Sequence, residues 1–565
     1  MTHRHARPVI VRARVIHTMD PQFPQARAMV ILGDRIAAVG DPADLAGLFP
    51  HARHADFGDR VVVPGFNDAH QHLCAMAATA DHLDLGTPDR ADRARALRDL
   101  ADLCARTPPG QWVRAFAYDH TDTGQGPLTR TDLDAVSVHH PILISHVSDH
   151  WGVLNSLGLA RTAPSAGPPH DNPPAGGPDG RIYEADFFRL ALADDDTLID
   201  QPTPERHLRG LEDLTRRHHA AGITSIGDAL VTPAQLAIYQ RARHENRLTL
   251  RVGLLLDATH ADDYLDLGIG SGMGDTMLRI GGFKAIADGS IAGRTCLLEA
   301  PYSDAHDPED RGLQVTDPEE LTALTRRVHD AGSVIAIHAN GDRAIAQALD
   351  AIETAQAHGP TSHTRHRVEH CTVLTPSLVT RLKATGTAAV PFGAYISHHG
   401  PKLLRWYGPE RLNGMFAHRW LLDAGVPVGG SSDYSASPFE PLIALHSMIT
   451  RRSADGTVLG AQQRVTAAEA LWIYTAGSAT VAGEEHIKGR LSPGYLADFV
   501  VLDEDPLTVS VDDLPTVGVH QTVVGGHTVW STDDSANLAA DTRGAPRAEV
   551  PTGLEPHDLH IARRT

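Results

Sequence analysis

The sequence predicts an α/β fold organised as a (β/α)8 barrel. Three observations carry that expectation. Eight apolar segments of strand length alternate with helical patterns through the middle of the chain, at 61–67, 222–228, 248–256, 278–286, 333–338, 365–370, 386–392 and 426–431. Several intervening helices carry legible start and stop signals. Both ends of the chain read instead as short β segments with turns.

Taken in order, residues 8–62 run VIVRARVIHTM, ARAMVILGDRIAAVG and DRVVVPGF, with Gly33-Asp34 at a strand–turn–strand junction. Residues 489–531 repeat that style, so the two ends are expected to build one sheet domain. The first two barrel strands lie about 155 residues apart, far beyond an ordinary βα connection. Residues 75–205 are therefore expected to form an inserted subdomain, with a Pro/Gly-rich loop at 163–181. After RHRVEH, Thr375-Pro376 supplies an N-cap and a first helical residue, and Gly386 a stop. After VIAIH, residues Ala344, Ile345, Ala348, Leu349 and Ile352 share one helical face. Beyond Ser531 the chain turns polar and Pro/Gly-rich and reads as a disordered or loosely draped tail. The expected divisions are 1–59 and 489–532 for the terminal sheet, 60–74 for the first barrel strand, 75–205 for the insertion, 206–488 for the rest of the barrel and 533–565 for the tail.

Composition bounds the function. With 42% hydrophobic and 21% charged residues in 565, the chain can bury a sizeable core. A net charge of −20 with no basic block disfavours nucleic acid and anionic membrane as partners. No apolar run reaches the roughly 18 residues of a membrane span, and MTHRHARPVIVRARV has no long apolar h-region. Cys74, Cys104, Cys296 and Cys371 lie far apart without a CxxC, which suits a reducing compartment. The expectation is a cytoplasmic protein acting on a small molecule, with a homodimer left open. Two biases stand out: there are 35 histidines, and only four of the 50 basic residues are lysine, namely Lys284, Lys383, Lys402 and Lys488.

With histidine this common, about two HxH triplets are expected by chance. Two occur, His3/His5 in the polar N-terminus and His70/His72 at the end of VVVPGFNDAHQH. On a strand, residues i and i+2 point to the same side, so His70 and His72 can share one metal ion. Lys284, His338, His370 and Asp433 likewise lie at the C-terminal ends of predicted strands, the face where such barrels carry their active sites. Each has a bland explanation by itself: a satisfied core histidine, a helix N-cap for Asp433, a buried Lys284–Asp288 or Lys284–Glu369 pair. Their joint placement on strands one, four, five, six and eight argues for a site.

The order His-x-His, Lys, His, His, Asp resembles the amidohydrolase superfamily. PGFNDAHQHL, GGFKAIADGSIAGRT, IAIHANGDRAI, RVEHC, GGSSDYSASPFEPL and GRLSPGYLADFVVLDEDP are similar to the amidohydrolase family 3 branch that includes N-substituted formamide deformylases. The resemblance spans roughly residues 8–531. It implies a distorted TIM-like barrel with a small β-sandwich built from both termini, and a hydrolase of non-peptide C–N bonds in amides or N-formyl and N-acyl amines. It further implies zinc as cofactor, one or two ions, with manganese or iron as other options. His70, His72 and Asp433 would hold a first ion, and His338 and His370 a second. Lys284, as a carbamate, would bridge them. The ions would activate a hydroxide, and Asp433 would act as base and then acid. His150, Asn155 and Arg294 are the candidate substrate contacts. Two rivals remain open here. One is a deaminase of the same superfamily, disfavoured because Gly341 stands where such enzymes often carry glutamate. The other is a non-catalytic binding or regulatory protein on the same scaffold.

Overall fold

A computed structural model describes residues 7–86, 92–120, 126–162, 179–191, 199, 202–359 and 364–532. The expected tail at 533–565, most of the Pro/Gly loop at 163–181 and the His3/His5 triplet lie outside the described residues.

Seven parallel strands form the barrel wall: β1 (Phe66–Gln71), β2 (Ile223–Val231), β3 (Arg251–Asp257), β4 (Leu278–Ile286), β5 (Ile335–Ala339), β6 (Arg367–His370) and β7 (Ala388–Val390), each paired with the next in sequence. The eighth expected segment, 426–431, closes the ring without a regular ladder. On one side Ala389 N donates to Pro427 O at 2.9 Å, and on the other Ala69 N donates to Gly430 O at 2.9 Å. A Cβ at Gly430 would collide with the Tyr474 ring, so close helix packing behind this segment sets its irregular path.

The first expected strand, 61–67, is two strands. Val61–Pro64 runs antiparallel to Phe499–Leu502 in the terminal sheet, and the barrel strand begins only at Phe66. Pro64 has no N–H to donate, and a Cβ at Gly65 would strike Thr224, so the crossing between sheets falls where the sequence offers Pro-Gly. The terminal strands form one continuous eight-stranded sheet drawn from both ends of the chain. The sandwich implied by the resemblance is thus described more simply as a single sheet, with its own apolar cluster around Met29, Phe57, Val62 and Phe499.

The helices follow their local signals. Thr375 Oγ1 accepts from Leu378 N at 3.3 Å, and Gly386 ends that helix at φ 66°. Ala344, Ile345, Ala348, Leu349 and Ile352 of the helix Asp342–His358 are all buried. Between β1 and β2, five strands from Leu83–Asp84 to Arg181–Tyr183 form a separate sheet with a core around Leu100, Val113, Leu133 and Ile144. No described helix is long and apolar enough to cross a membrane.

One buried ion pair fastens the barrel to the terminal sheet. Arg251 at the start of β3 grips Asp498 through two hydrogen bonds, of 2.6 and 2.9 Å, and both side chains are about 5% exposed or less. Asp498 Oδ1 also accepts from Gly525 N at 2.7 Å. Removing one partner strands a buried charge. Asp498→Ala should therefore cost about 3–5 kcal/mol in denaturant unfolding, whereas Arg60→Ala, at the exposed Arg60–Asp503 pair, should cost less than about 1 kcal/mol.

Candidate metal centre

Strand ends bring the candidate residues together at the C-terminal mouth of the barrel. His70 and His72 lie with ring centroids 5.4 Å apart, His70 and His370 at 4.8 Å, and His338 and His370 at 4.6 Å. Asp433 Oδ1 is 3.4 Å from His70 Nε2 and 3.1 Å from His72 Nε2. Asp433 caps no helix, since the next one, Pro441–Thr450, starts after Glu440.

The tautomers are set from behind. His70 Nδ1 donates to Glu369, and His72 Nδ1 donates to Ala229 O at 3.0 Å. As neutral imidazoles both would present an Nε2 lone pair to a carboxylate oxygen that has only lone pairs too, and against burial that carboxylate raises the His72 pKa, so the place calls for a proton or a metal ion. Among the described residues His70 Nε2, His370 Nδ1 and Asp433 Oδ1 are buried without a hydrogen-bond partner. Acceptors facing acceptors in a buried place repel unless a cation sits among them. His70, His370 and Asp433 each offer a ligand atom within 4.8 Å of the others', and neutral imidazole with carboxylate is a donor set for a divalent transition metal. The residues present fit such an ion. This grouping joins His370 to His70 and Asp433, so the expected split into His70/His72/Asp433 and His338/His370 is not drawn by the geometry.

Electrostatics agree. Burial holds His338 and His370 well below the usual imidazole range, leaving them neutral and able to ligate. Burial alone would raise the Asp433 carboxyl, but positive charge among the imidazoles of His370, His70 and His72, whether a proton or a shared metal ion, holds it well below the usual range. Burial pushes the Lys284 amine down to about 8, against the pull of Glu369 and Asp433. Among the described residues Lys284 makes no ion pair, so neither alternative pair forms. Glu369 is gripped bidentately by Arg367 at 2.7 and 2.9 Å, and Asp288 accepts from the backbone N–H groups of Leu297, Asn340 and Gly341.

A cavity of about 90 Å³ lies above the cluster, lined by His72, Lys284, His338, His370 and Asp433 and by Phe116, Ser148, Asp149, His150 and Phe187 from the insertion. His150 sits over the mouth: its ring lies 5.1 Å from His338, and its Nδ1 is 2.8 Å from Glu184 Oε2. Asn155 and Arg294 are employed elsewhere. The Asn155 amide spends all its capacity on the backbone of Ile142, Gly158, Ser137 and His140. Arg294 pairs with Asp304 and Asp310 and lies over the Tyr302 ring. Neither lines the cavity.

Sequence reasoning weighed Glu369 only as a partner for Lys284. Its actual place follows from a break in the pleat: His370 and Cys371 adopt φ of 70° and 43°. Neighbours on a regular strand face opposite ways, but this turn lets Glu369 and His370 serve the same centre. Asp68 is a second omission. It accepts from Ser432 N at 3.1 Å and His70 N at 3.3 Å, tying the closing segment to β1. Gly341 gains a structural reason as well: a Cβ there would collide with the Leu297 carbonyl oxygen, so no acid side chain fits at that position. Because Glu369 fixes the His70 tautomer, Glu369→Gln should weaken divalent-metal retention by about 10- to 100-fold, read by metal analysis after graded chelator dialysis.

Comparison with known proteins agrees with this geometry. The N-substituted formamide deformylase of Arthrobacter pascens is 29% identical over 92% of this chain and 97% of its own. The crystal structure of an uncharacterized metal-dependent hydrolase from Pyrococcus horikoshii OT3 superposes with a TM-score of 0.73 at 25% identity, covering 89% of this chain and 99% of that one. A metal-dependent hydrolase structure from Pyrococcus furiosus gives 0.70 at 25% identity, covering 89% of this chain and 100% of that one. Residues 54–530 match the amidohydrolase family, and the chain belongs to that family.

Proposed function

We propose that the protein is a metal-dependent amidohydrolase that cleaves a non-peptide C–N bond, with an N-formyl or short N-acyl amine as substrate. The carrying observation is the set of buried lone pairs on His70, His370 and Asp433 facing one another beneath a cavity. The cavity's about 90 Å³ is well below the roughly 300 Å³ at which pockets enclose drug-sized ligands, which favours a small acyl group at the floor. The deformylase relative supports the same class of bond. The deaminase reading loses its acid at Gly341. Four buried cysteines, none in a disulfide, suit action in the cytoplasm.

His70, His72, His338, His370 and Asp433 would hold one or two divalent ions, zinc being the choice that best suits the donors. Such an ion, when bound, polarises the scissile carbonyl and acidifies water. The chain's own groups do the rest. Asp433, anionic and at the edge of the cavity, takes the proton from the attacking water and delivers it to the leaving nitrogen. His150, braced by Glu184, is placed to orient the acyl group, and Phe116 and Phe187 exclude bulk water. Lys284 is proposed to react as the neutral amine with CO2, giving a carbamate and a proton, and so to supply a further carboxylate ligand.

Release of formate or another short acid from N-formyl and N-acyl amines by metal-loaded protein tests the reading; no turnover across such a panel with metal bound would refute it. Asp433→Asn should keep the fold and lower kcat by about 100-fold or more, since the proton carrier is lost. Near wild-type kcat would remove Asp433 from proton transfer. Lys284→Arg keeps a cation but cannot form a carbamate, and should lose metal and activity. In the wild type the modification should increase as pH rises toward about 8, where burial places the amine's pKa and where its neutral form becomes abundant. Mass or NMR detection of the carbamate checks it.

A further inference from the structure

The larger cavity is at the other end of the barrel. It measures about 780 Å³, within the range of small-molecule sites, and opens at the N-terminal ends of the strands. Barrel interiors are ordinarily filled there by layers of branched side chains. Here glycines face the space instead: Gly227 on β2 is the direct register partner of Gly253 on β3, and Gly281 follows on β4. Gly227 is required by packing, since its Cβ would collide with the Ala69 carbonyl. Gly253 and Gly281 are not. A Cβ would find its nearest neighbour at 3.8 Å for Gly253 and 3.4 Å for Gly281, and neither has the left-handed backbone that demands glycine. The sequence leaves room that a side chain could fill.

The walls are basic in a chain of net charge −20. Arg279, Arg365, Arg367, Lys383 and Lys488 line the cavity, with Glu484, Glu485 and His486. Glu484 serves both Lys488, at 2.6 Å, and Arg279, at 3.7 Å. Glu485 pairs with Arg365 at 3.1 Å, and Arg367 is matched by Glu369 behind it. Lys383 donates to Gly425 O at 2.8 Å and has no carboxylate partner among the described residues. Positive charge thus exceeds negative around an open space, and two of the chain's four lysines stand there.

We propose that this end of the barrel is a binding site for a small oxyanion, a molecule bearing phosphate or carboxylate groups, held by Arg365, Lys383 and the guanidinium of Arg279. Arginine forks match such groups bidentately, and lysine adds a point charge. The site is separate from the metal centre, with Arg367 and Glu369 between them, and it does not depend on the reaction catalysed there.

The full-length, metal-loaded protein titrated with inorganic phosphate, and separately with succinate, tests this by calorimetry and thermal shift. Saturable binding of at least one anion with a raised Tm is expected, and the tighter of the two names the recognised group. Gly253→Leu, which fills the space, and the double variant Lys383→Gln/Arg365→Gln should each weaken binding by about tenfold or more with metal content unchanged. If Gly253→Leu does not fold, the double variant decides. Absence of saturable binding for both anions overturns the proposal. So does binding that survives these variants but is lost in Asp433→Asn, which would place the anion at the metal.

Discussion

Lone pairs that cannot hydrogen-bond to one another are held in one buried place at the end of the barrel. His70 Nε2 and His72 Nε2 approach Asp433 Oδ1 to 3.4 and 3.1 Å, and Glu369 and Ala229 have taken the other imidazole nitrogens. In water each acceptor would find its own proton donor. In a buried site their mutual repulsion is relieved by positive charge held among them, a shared metal ion or a proton on an imidazole. Much of the surrounding structure serves to hold that arrangement.

The supports come from distant parts of the chain. Arg367 grips Glu369 and also donates to Ala69 O at 2.9 Å, so β6 and β1 are locked by the same residues that orient His70. Asp68 and Ser432 tie the closing segment to β1 and so deliver Asp433. Asp433 itself sits at φ 50° and His370 at 70°. Non-glycine residues pay a conformational penalty in that region, which the packed surroundings must overcome. The Arg251–Asp498 pair then carries the terminal sheet on the outside of the same barrel.

The two ends of the barrel have opposite characters. At the C-terminal end a small cavity holds imidazoles, of which burial keeps His338 and His370 neutral, an anion and a lysine whose charge is disfavoured by burial. At the N-terminal end a large cavity, floored by glycine, is rimmed by arginine and lysine, of which Arg279, Arg365 and Lys383 remain near solvent while Arg367 and Lys488 are buried. Arg367 and Glu369 form the partition, one facing each way, so their internal pairing keeps the basic end from placing an uncompensated cation behind His70.

The sequence by itself determined the succession of strands and helices, because periodicity, Thr-Pro starts and Gly stops act over a few residues. It also determined which strand ends carry His70, His72, Lys284, His338, His370 and Asp433, since a side chain's position along a strand is local information. Tertiary structure decided the rest. It split the segment 61–67 between two sheets at Pro64-Gly65, and it spent Asn155 and Arg294 on backbone and on ion pairs. It turned His370 through a positive φ so that Glu369, 299 residues from His70, could fix that imidazole's tautomer. It made Gly341 obligatory through Leu297 and left Gly253 beside an open cavity. Each of these outcomes depends on a partner brought close only when the barrel closes, and side-chain spacing along the chain carries no record of which distant group will arrive there.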